Sequence, residues 1–176
     1  MELTHKITQA IRDVHNFPKE GIVFKDITPI MLDAGLSNDI LKDLTARFRS
    51  ENLQGIAGIE SRGFLFGFPL AMALGIPFIM IRKKGKLPYE KISHAYELEY
   101  GSAVIEMHSD AISPGDRILI HDDLLATGGS AAAAAELIQK CQGVVAGFNF
   151  LVELEFLAGR DKLKTYSNHI SNLVQY

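Results

Sequence analysis

The chain has 176 residues, 47% of them hydrophobic and 22% charged, with a net charge of −3 and a pI near 6.1. That length is enough for one well-packed domain and short of two ordinary ones, and no linker, repeat or low-complexity tract divides it. No uncharged apolar run reaches the ~18–20 residues that span a bilayer. The mixed charges of "MELTHKITQAIRDV" exclude a secretory signal, and the acidic balance argues against a general nucleic-acid binder. The single cysteine, Cys141, cannot form an internal disulfide, and the six histidines show no zinc-ligand spacing. A cytoplasmic protein that handles small molecules is expected.

Leu3, Ile7, Ile11 and Val14 recur at helical spacing and predict a first amphipathic helix. The segment "NFPKEGIVFKDITPIML" carries Pro18, Gly21 and Pro29, so it is expected to be irregular with one short strand. Ser37 has the chemistry of an N-cap for a helix presenting Ile40, Leu41, Leu44 and Phe48.

From residue 55 onward, strands and helices alternate. "GIAGI" (55–59), "PFIMI" (77–81), "RILIH" (117–121) and "VVAGFNFLV" (144–152) read as buried strands, with helices over 63–74 and 129–141. Continuous apolar strands separated by helices predict an α/β fold, a parallel sheet with helices on both faces. Residues 83–116 break the rhythm. They begin basic and contain "HAYELEYGSAVIEMH", whose alternation around Gly101 predicts a hairpin. An insertion of this length in a compact domain is commonly a functional lid, here 83–108.

The stretch "ILIHDDLLATGGSAAAAAELI" carries the most chemistry. A strand runs into two acids, then a Thr-Gly-Gly-Ser turn, then an alanine-rich helix. Gly128 and Gly129 allow a tight turn with exposed amides, Thr127 and Ser130 add hydroxyls, and the helix dipole favours an anion. The triphosphate loop GxxxxGK[ST] and the dinucleotide fingerprint GxGxxG are both absent. Ionised Asp122 and Asp123 are acceptors suited to a vicinal diol, so a ribose 5-phosphate satisfies acids and turn together. His121 reads as a partly buried structural histidine.

Two more stretches follow strands. "GIESRGFLFG" opens a helix with Arg62 beside its first amides, and "IRKKGKLP" places Arg82, Lys83, Lys84 and Lys86 within five residues. On the residues alone, the basic run reads as diphosphate binding or as a solvated loop. Phe24 and Leu154 read equally as core residues, and Glu97 and Glu99 as the solvated face of a hairpin.

"ILIHDDLLATGGS" resembles the phosphoribosyl pyrophosphate motif of type I phosphoribosyltransferases, with Ser130 where threonine is commoner. With "FPKEGIVFKDITP", "GIESRGFLFG", "IRKKGKLP", "YELEYGSA" and "LVELEFLAGRDKL" in order, the chain from about Val14 onward is similar to the adenine phosphoribosyltransferases. The resemblance implies one phosphoribosyltransferase domain over 1–176, with 1–33 as the first helix and a base-binding hood. It implies transfer of a phosphoribosyl group to adenine, giving AMP and pyrophosphate in purine salvage. Ala126, Thr127, Gly128, Gly129 and Ser130 would bind the 5′-phosphate, and Asp122 and Asp123 the ribose hydroxyls. Glu60, Ser61, Arg62, Gly63, Arg82, Lys83 and Lys86 would hold pyrophosphate, with Arg62 and Lys86 also counted as catalytic. Val23 and Lys25 would meet the adenine edge through backbone groups, Phe24 and Leu154 would sandwich the ring, and Glu99 would transfer the proton with Tyr100 beside it. Mg2+ would be held mainly by substrate and water, with no direct protein ligand. A homodimer is implied, with neither membrane nor nucleic acid as partner. Another purine base, or a non-catalytic phosphoribosyl-binding regulator, are the competing readings.

Overall fold

The computed structural model describes residues 2–97 and 101–176. The chain folds as two compact units, Met1–Arg47 and Phe48–Tyr176.

The first unit contains α1 (Leu3–Ala10), β1 (Arg12–His15), β2 (Val23–Asp26), α2 (Thr28–Leu32) and nearly all of α3 (Ala34–Phe48). The predicted first helix is shorter than its apolar spacing implied. It stops at Ala10, and Val14 lies in β1, paired antiparallel with Phe24 of β2. The backbone there gains a ladder, reinforced by the Lys25–Asp13 ion pair at 2.7 Å. Ser37 is not the N-cap of α3, since it lies inside the helix and its hydroxyl donates to the Ile30 carbonyl at 2.8 Å. Asp33 takes the capping role, its Oδ1 accepting the Leu36 amide at 2.9 Å. Ile7, Ile30, Ile40 and Leu44 are fully buried, and Lys6 and Asp39 tie α1 to α3 across 3.0 Å.

The second unit is a seven-stranded sheet. Its strands are β3 (Gly55–Ile59), β4 (Phe78–Lys83), β5 (Lys91–Glu97), β6 (Ser102–His108), β7 (Arg117–Leu125), β8 (Val144–Glu153) and β9 (Ile170–Gln175), in the order β5-β6-β4-β3-β7-β8-β9. Five strands, β4-β3-β7-β8-β9, are mutually parallel. The sheet is mixed rather than wholly parallel. β6 runs antiparallel to both β4 and β5, so the 83–116 segment extends the sheet edge as a hairpin. β7 is longer than its apolar run, because pairing with β8 continues through Asp122↔Phe150 to Leu125↔Glu153. The acid pair therefore lies within a strand.

Helix α4 (Gly63–Leu74) covers one face and α5 (Gly129–Lys140) the other. Alternation in β7 divides the layers. Ile118 and Ile120 join Ala131–Ala135 of α5 in the core, while His121 faces Gly67 of α4. The alanines let α5 approach the sheet closely. Phe78 fills the space beside Gly58 and Gly67, where an added Cβ would come within 2.5 and 2.9 Å of its ring. A 3₁₀ turn (Glu155–Leu157), α6 (Gly159–Leu163) and β9 complete the unit. No described helix is long and apolar enough to cross a membrane.

Candidate active site

Chain order reverses at β3. The chain crosses from β3 to β4 on one side and returns as β7 on the other. In open α/β sheets, ligands bind beyond the carboxyl ends of strands at such a switch point. A cavity of about 410 Å³ lies there. It is lined by Glu60 and Arg62 after β3, Lys83 at the end of β4, Asp122 and Asp123 in β7, Ser130 of α5, and Tyr96 of the hairpin. Residues spread from 60 to 130 in sequence thus face one space.

The two loops after β3 and β4 organise each other. The Glu60 carboxylate accepts the Arg82 Nε–H at 3.1 Å and the Lys83 backbone amide at 2.9 Å. Burial raises the Glu60 pKa, but these donors and the Arg82 and Lys83 charges outweigh it, and the net displacement is downward. The Arg82 guanidinium also donates to the Lys86 carbonyl at 3.0 Å, and Glu106 of β6, itself buried, accepts the Gly85 amide at 2.9 Å. The basic loop is therefore a fixed turn. Lys83, Lys84 and Lys86 are exposed, and Lys86 lies outside the cavity lining.

Helix α4 starts against the acid pair. A Cβ on Gly63 would come within 2.6 Å of the His121 carbonyl and 3.2 Å of the Asp122 Cα, so only glycine permits this approach. Arg62, one residue earlier, places its Nε 2.9 Å from Asp123 Oδ2. Asp122 Oδ1 accepts the Asp123 amide at 2.9 Å. Burial and then the Asp123 charge hold the Asp122 pKa well above the usual carboxylate range. Burial also raises Asp123, although Arg62 pulls it down.

Ala126–Ser130 forms the turn into α5. Gly128 has φ +76°, a conformation that favours glycine, and Ser130 Oγ lies 3.1 Å from the Tyr96 hydroxyl. Thr127 is exposed. His121 is fully buried rather than partly so. Its Nδ1 lies 2.8 Å from Asn149 Oδ1, its Nε2 has no partner among the described residues, and burial pulls its pKa to about 4.

Val23, Phe24 and Lys25 form β2 of the first unit, with Phe24 edge-on to Phe17 at 5.2 Å. Half-buried Leu154 follows β8, its amide bonded to the Leu125 carbonyl at 2.9 Å. Glu99 and Tyr100 lie outside the described residues. Sequence reasoning gave no role to Glu106 or Arg160 and left those of Tyr96 and Glu153 open, because a polar residue's place in the sequence carries no sign of what it faces. Among the described residues, no cluster of three or more His, Cys, Asp or Glu could hold a metal ion.

Residues 31–170 match the family model described as "Phosphoribosyl transferase domain". The adenine phosphoribosyltransferase of Cytophaga hutchinsonii is 50% identical over 174 residues, covering 99% of this chain and 96% of that protein. The chain belongs to the adenine phosphoribosyltransferase family. The adenine phosphoribosyltransferase of Halothermothrix orenii is 52% identical over 92% of this chain and 95% of that protein. Among solved structures, the Thermoanaerobacter pseudethanolicus adenine phosphoribosyltransferase superposes with a TM-score of 0.94 at 46% identity, covering 98% of this chain and 99% of that one. The Saccharomyces cerevisiae adenine phosphoribosyltransferase, solved with an imino-altritol bisphosphate and adenine, gives 0.90 at 42% identity, with coverages of 97% and 98%. The doubly covered sheet described above is thus an adenine phosphoribosyltransferase fold.

Proposed function

We infer that the chain transfers the 5-phosphoribosyl group of phosphoribosyl pyrophosphate to adenine, giving AMP and pyrophosphate. One observation carries this reading: a single cavity is lined by the acid pair, by Ser130 in the first turn of α5, and by Arg62 and Lys83 from the chain after β3 and the end of β4. Asp122 and Asp123 accept the ribose hydroxyls, and Ala126–Ser130 holds the 5′-phosphate. The Glu60–Gly63 loop, with Arg82, Lys83 and Lys86, receives the diphosphate. The yeast relative solved with adenine and an imino-altritol bisphosphate supports adenine and a phosphorylated sugar as the substrates.

Cleavage of the anomeric C–O bond places positive charge on the sugar and negative charge on the leaving diphosphate. Arg62 and the basic loop stabilise the second, and Asp122 and Asp123 orient the first. Val23 and Lys25 meet the adenine edge through backbone groups, and Phe24 and Leu154 hold the ring. Glu99 takes the proton from the attacking base and returns it in reverse. Closure of the 83–108 insertion excludes water.

Mg2+ suits this donor set, because diphosphate, ribose hydroxyl and carboxylate oxygens are hard ligands. When bound, it would neutralise diphosphate charge, held mainly by substrate and water. The protein works in the cytoplasm as a homodimer through the exposed apolar face of α4.

Radiolabelled adenine, hypoxanthine, guanine and uracil, each supplied with phosphoribosyl pyrophosphate and Mg2+, test the reading. Nucleotide should form from adenine at least about a hundredfold faster than from the others. Preference for another base, or no nucleotide, overturns it.

A further inference from the structure

Helix α6 touches the phosphate turn from outside the cavity. A Cβ on Gly159 would lie 2.1 Å from the Ala126 carbonyl oxygen and 2.9 Å from the Gly128 amide nitrogen. In return, a Cβ on Gly128 would lie 2.7 Å from the Gly159 carbonyl oxygen. The two backbones approach so closely that neither glycine can carry a side chain without one segment moving.

The next residue fixes α6 in place. Arg160 donates through Nε to Glu153 Oε1 at 2.9 Å and through a terminal nitrogen to Oε2, and its other terminal nitrogen reaches the Ile170 carbonyl at 2.9 Å. Asn172 of β9 donates to the same carboxylate. Glu153 is 3% exposed. It ends β8 opposite Leu125, the residue before the phosphate turn, and the Leu154 amide bonds the Leu125 carbonyl at 2.9 Å. A buried carboxylate is a weak source of net stability against an apolar alternative. This one instead ties β8, β9 and α6 together at the root of the turn.

We propose that Gly159 and the Glu153–Arg160 ion pair are a positioning unit that sets the Ala126–Ser130 turn in the geometry that accepts the 5′-phosphate. None of the three residues lines the cavity. The turn is held from the strand side by the Leu125–Leu154 hydrogen bond and from α6 by Gly159, which keeps its amides pointed at one place without ligand. The proposal rests on reading Ala126–Ser130 as the phosphate turn.

The test is calorimetry with ribose 5-phosphate, paired with steady-state KM values for phosphoribosyl pyrophosphate and adenine. Wild type and Gly159→Ala, Arg160→Lys and Asp161→Ala variants are compared. Asp161 is an exposed α6 residue that serves as control. Wild type and Asp161→Ala should bind alike. Gly159→Ala and Arg160→Lys should lose about tenfold or more for ribose 5-phosphate, with donor KM rising in parallel and adenine KM changing by less than about twofold. Unchanged ribose 5-phosphate affinity, or equal losses for donor and adenine, overturns the proposal while leaving the phosphoribosyl reading intact. Failure of wild type to bind ribose 5-phosphate overturns that reading and the proposal with it. Should Gly159→Ala not fold, Arg160→Lys, which keeps the charge and adds no atom at the contact, applies the same criterion.

Discussion

The Arg62 Nε sits 2.9 Å from Asp123 Oδ2, so the residue that opens α4 is ion-paired to the end of β7. This pair joins the loop assigned to the leaving group with the acids assigned to the ribose. Arg62 also opposes the burial that raises the Asp123 pKa. Arg62→Ala should raise donor KM by about tenfold or more. Asp123 should then keep its proton to higher pH, so the acid limb of kcat/KM for the donor should move upward. Kinetics from about pH 5 to 8 check both. An unmoved acid limb would show that Arg62 does not govern the acid pair.

Asp122 stands in an environment that disfavours its charge, first through burial and then through Asp123. Its folded pKa is raised, so the folded state holds a proton where the unfolded chain has lost it. Ionised Asp122 therefore costs stability at neutral pH, and the cost shrinks as pH falls through the raised value. Asp122→Asn keeps an acceptor for the Asp123 amide and removes the charge. It should raise Tm by about 2–4 °C, the shift that ~1 kcal/mol produces in a chain of this size, while weakening donor binding. Scanning calorimetry and donor KM report the two effects. A lowered Tm would contradict the burial argument.

The strands that build the site were legible because they read as short apolar runs bounded by turns, with β3 and most of β7 and β8 buried on both faces. β1 was not, since Arg12–His15 is mostly exposed and its one apolar residue, Val14, also fits a helical spacing, whereas β2 is the one short strand expected in its segment. Ser37 as the cap failed because Asp33, four residues earlier, has the same capping chemistry, and only the fold shows which one faces a bare amide. The turn Ala126–Ser130 was visible in its glycines and hydroxyls. What braces it was not, because the approach of Gly159 and the ion pair of Glu153 join segments whose contact no spacing encodes. The extension of β7 through the acids likewise depends on pairing with β8.

His121 provides a pH test of the core. Its ring is fully buried, and burial lowers its pKa from 6.5 to about 4, against a smaller opposing effect of Asn149. The unfolded chain takes up this proton first as pH falls. Stability should therefore decline between about pH 6.5 and 4, by up to about 3 kcal/mol from this group. The Asp122–Asp123 pair acts in the opposite sense, so the measurement is a difference between wild type and His121→Leu in urea unfolding at several pH values. Wild type should lose its advantage as pH falls. A pH-independent difference would show that His121 is accessible to protons in the folded state.

Tyr96 links the hairpin to the phosphate turn through its 3.1 Å contact with Ser130 Oγ, and it lines the cavity. Tyr96→Phe keeps the ring and removes that bond, whose net worth is about 1 kcal/mol. Donor kcat/KM should fall about fivefold, with Tm nearly unchanged. Ser130→Ala also removes a hydroxyl of the phosphate turn and should lose more, and the double variant should lose little more than Ser130→Ala alone, since the Tyr96 bond is already gone there. Fully additive losses would mean the two hydroxyls act separately.

The exposed face of α4 makes the assembly testable. Leu65, Phe68 and Met72 are 44%, 52% and 67% exposed, at spacings of three and four residues that put them on one side of the helix. Large apolar side chains gathered on one exposed face mark an interaction surface more often than an ordinary soluble one. In a two-fold dimer, the same patch meets itself, so one substitution changes the interface twice. Phe68→Lys with Met72→Lys should therefore convert a dimer to a monomer, read as a halved mass by light scattering after gel filtration. The α4 face does not line the cavity, so ribose 5-phosphate should still bind the monomer. A wild-type chain that is monomeric at about 10 μM, or a double variant that stays dimeric, would remove α4 as the interface.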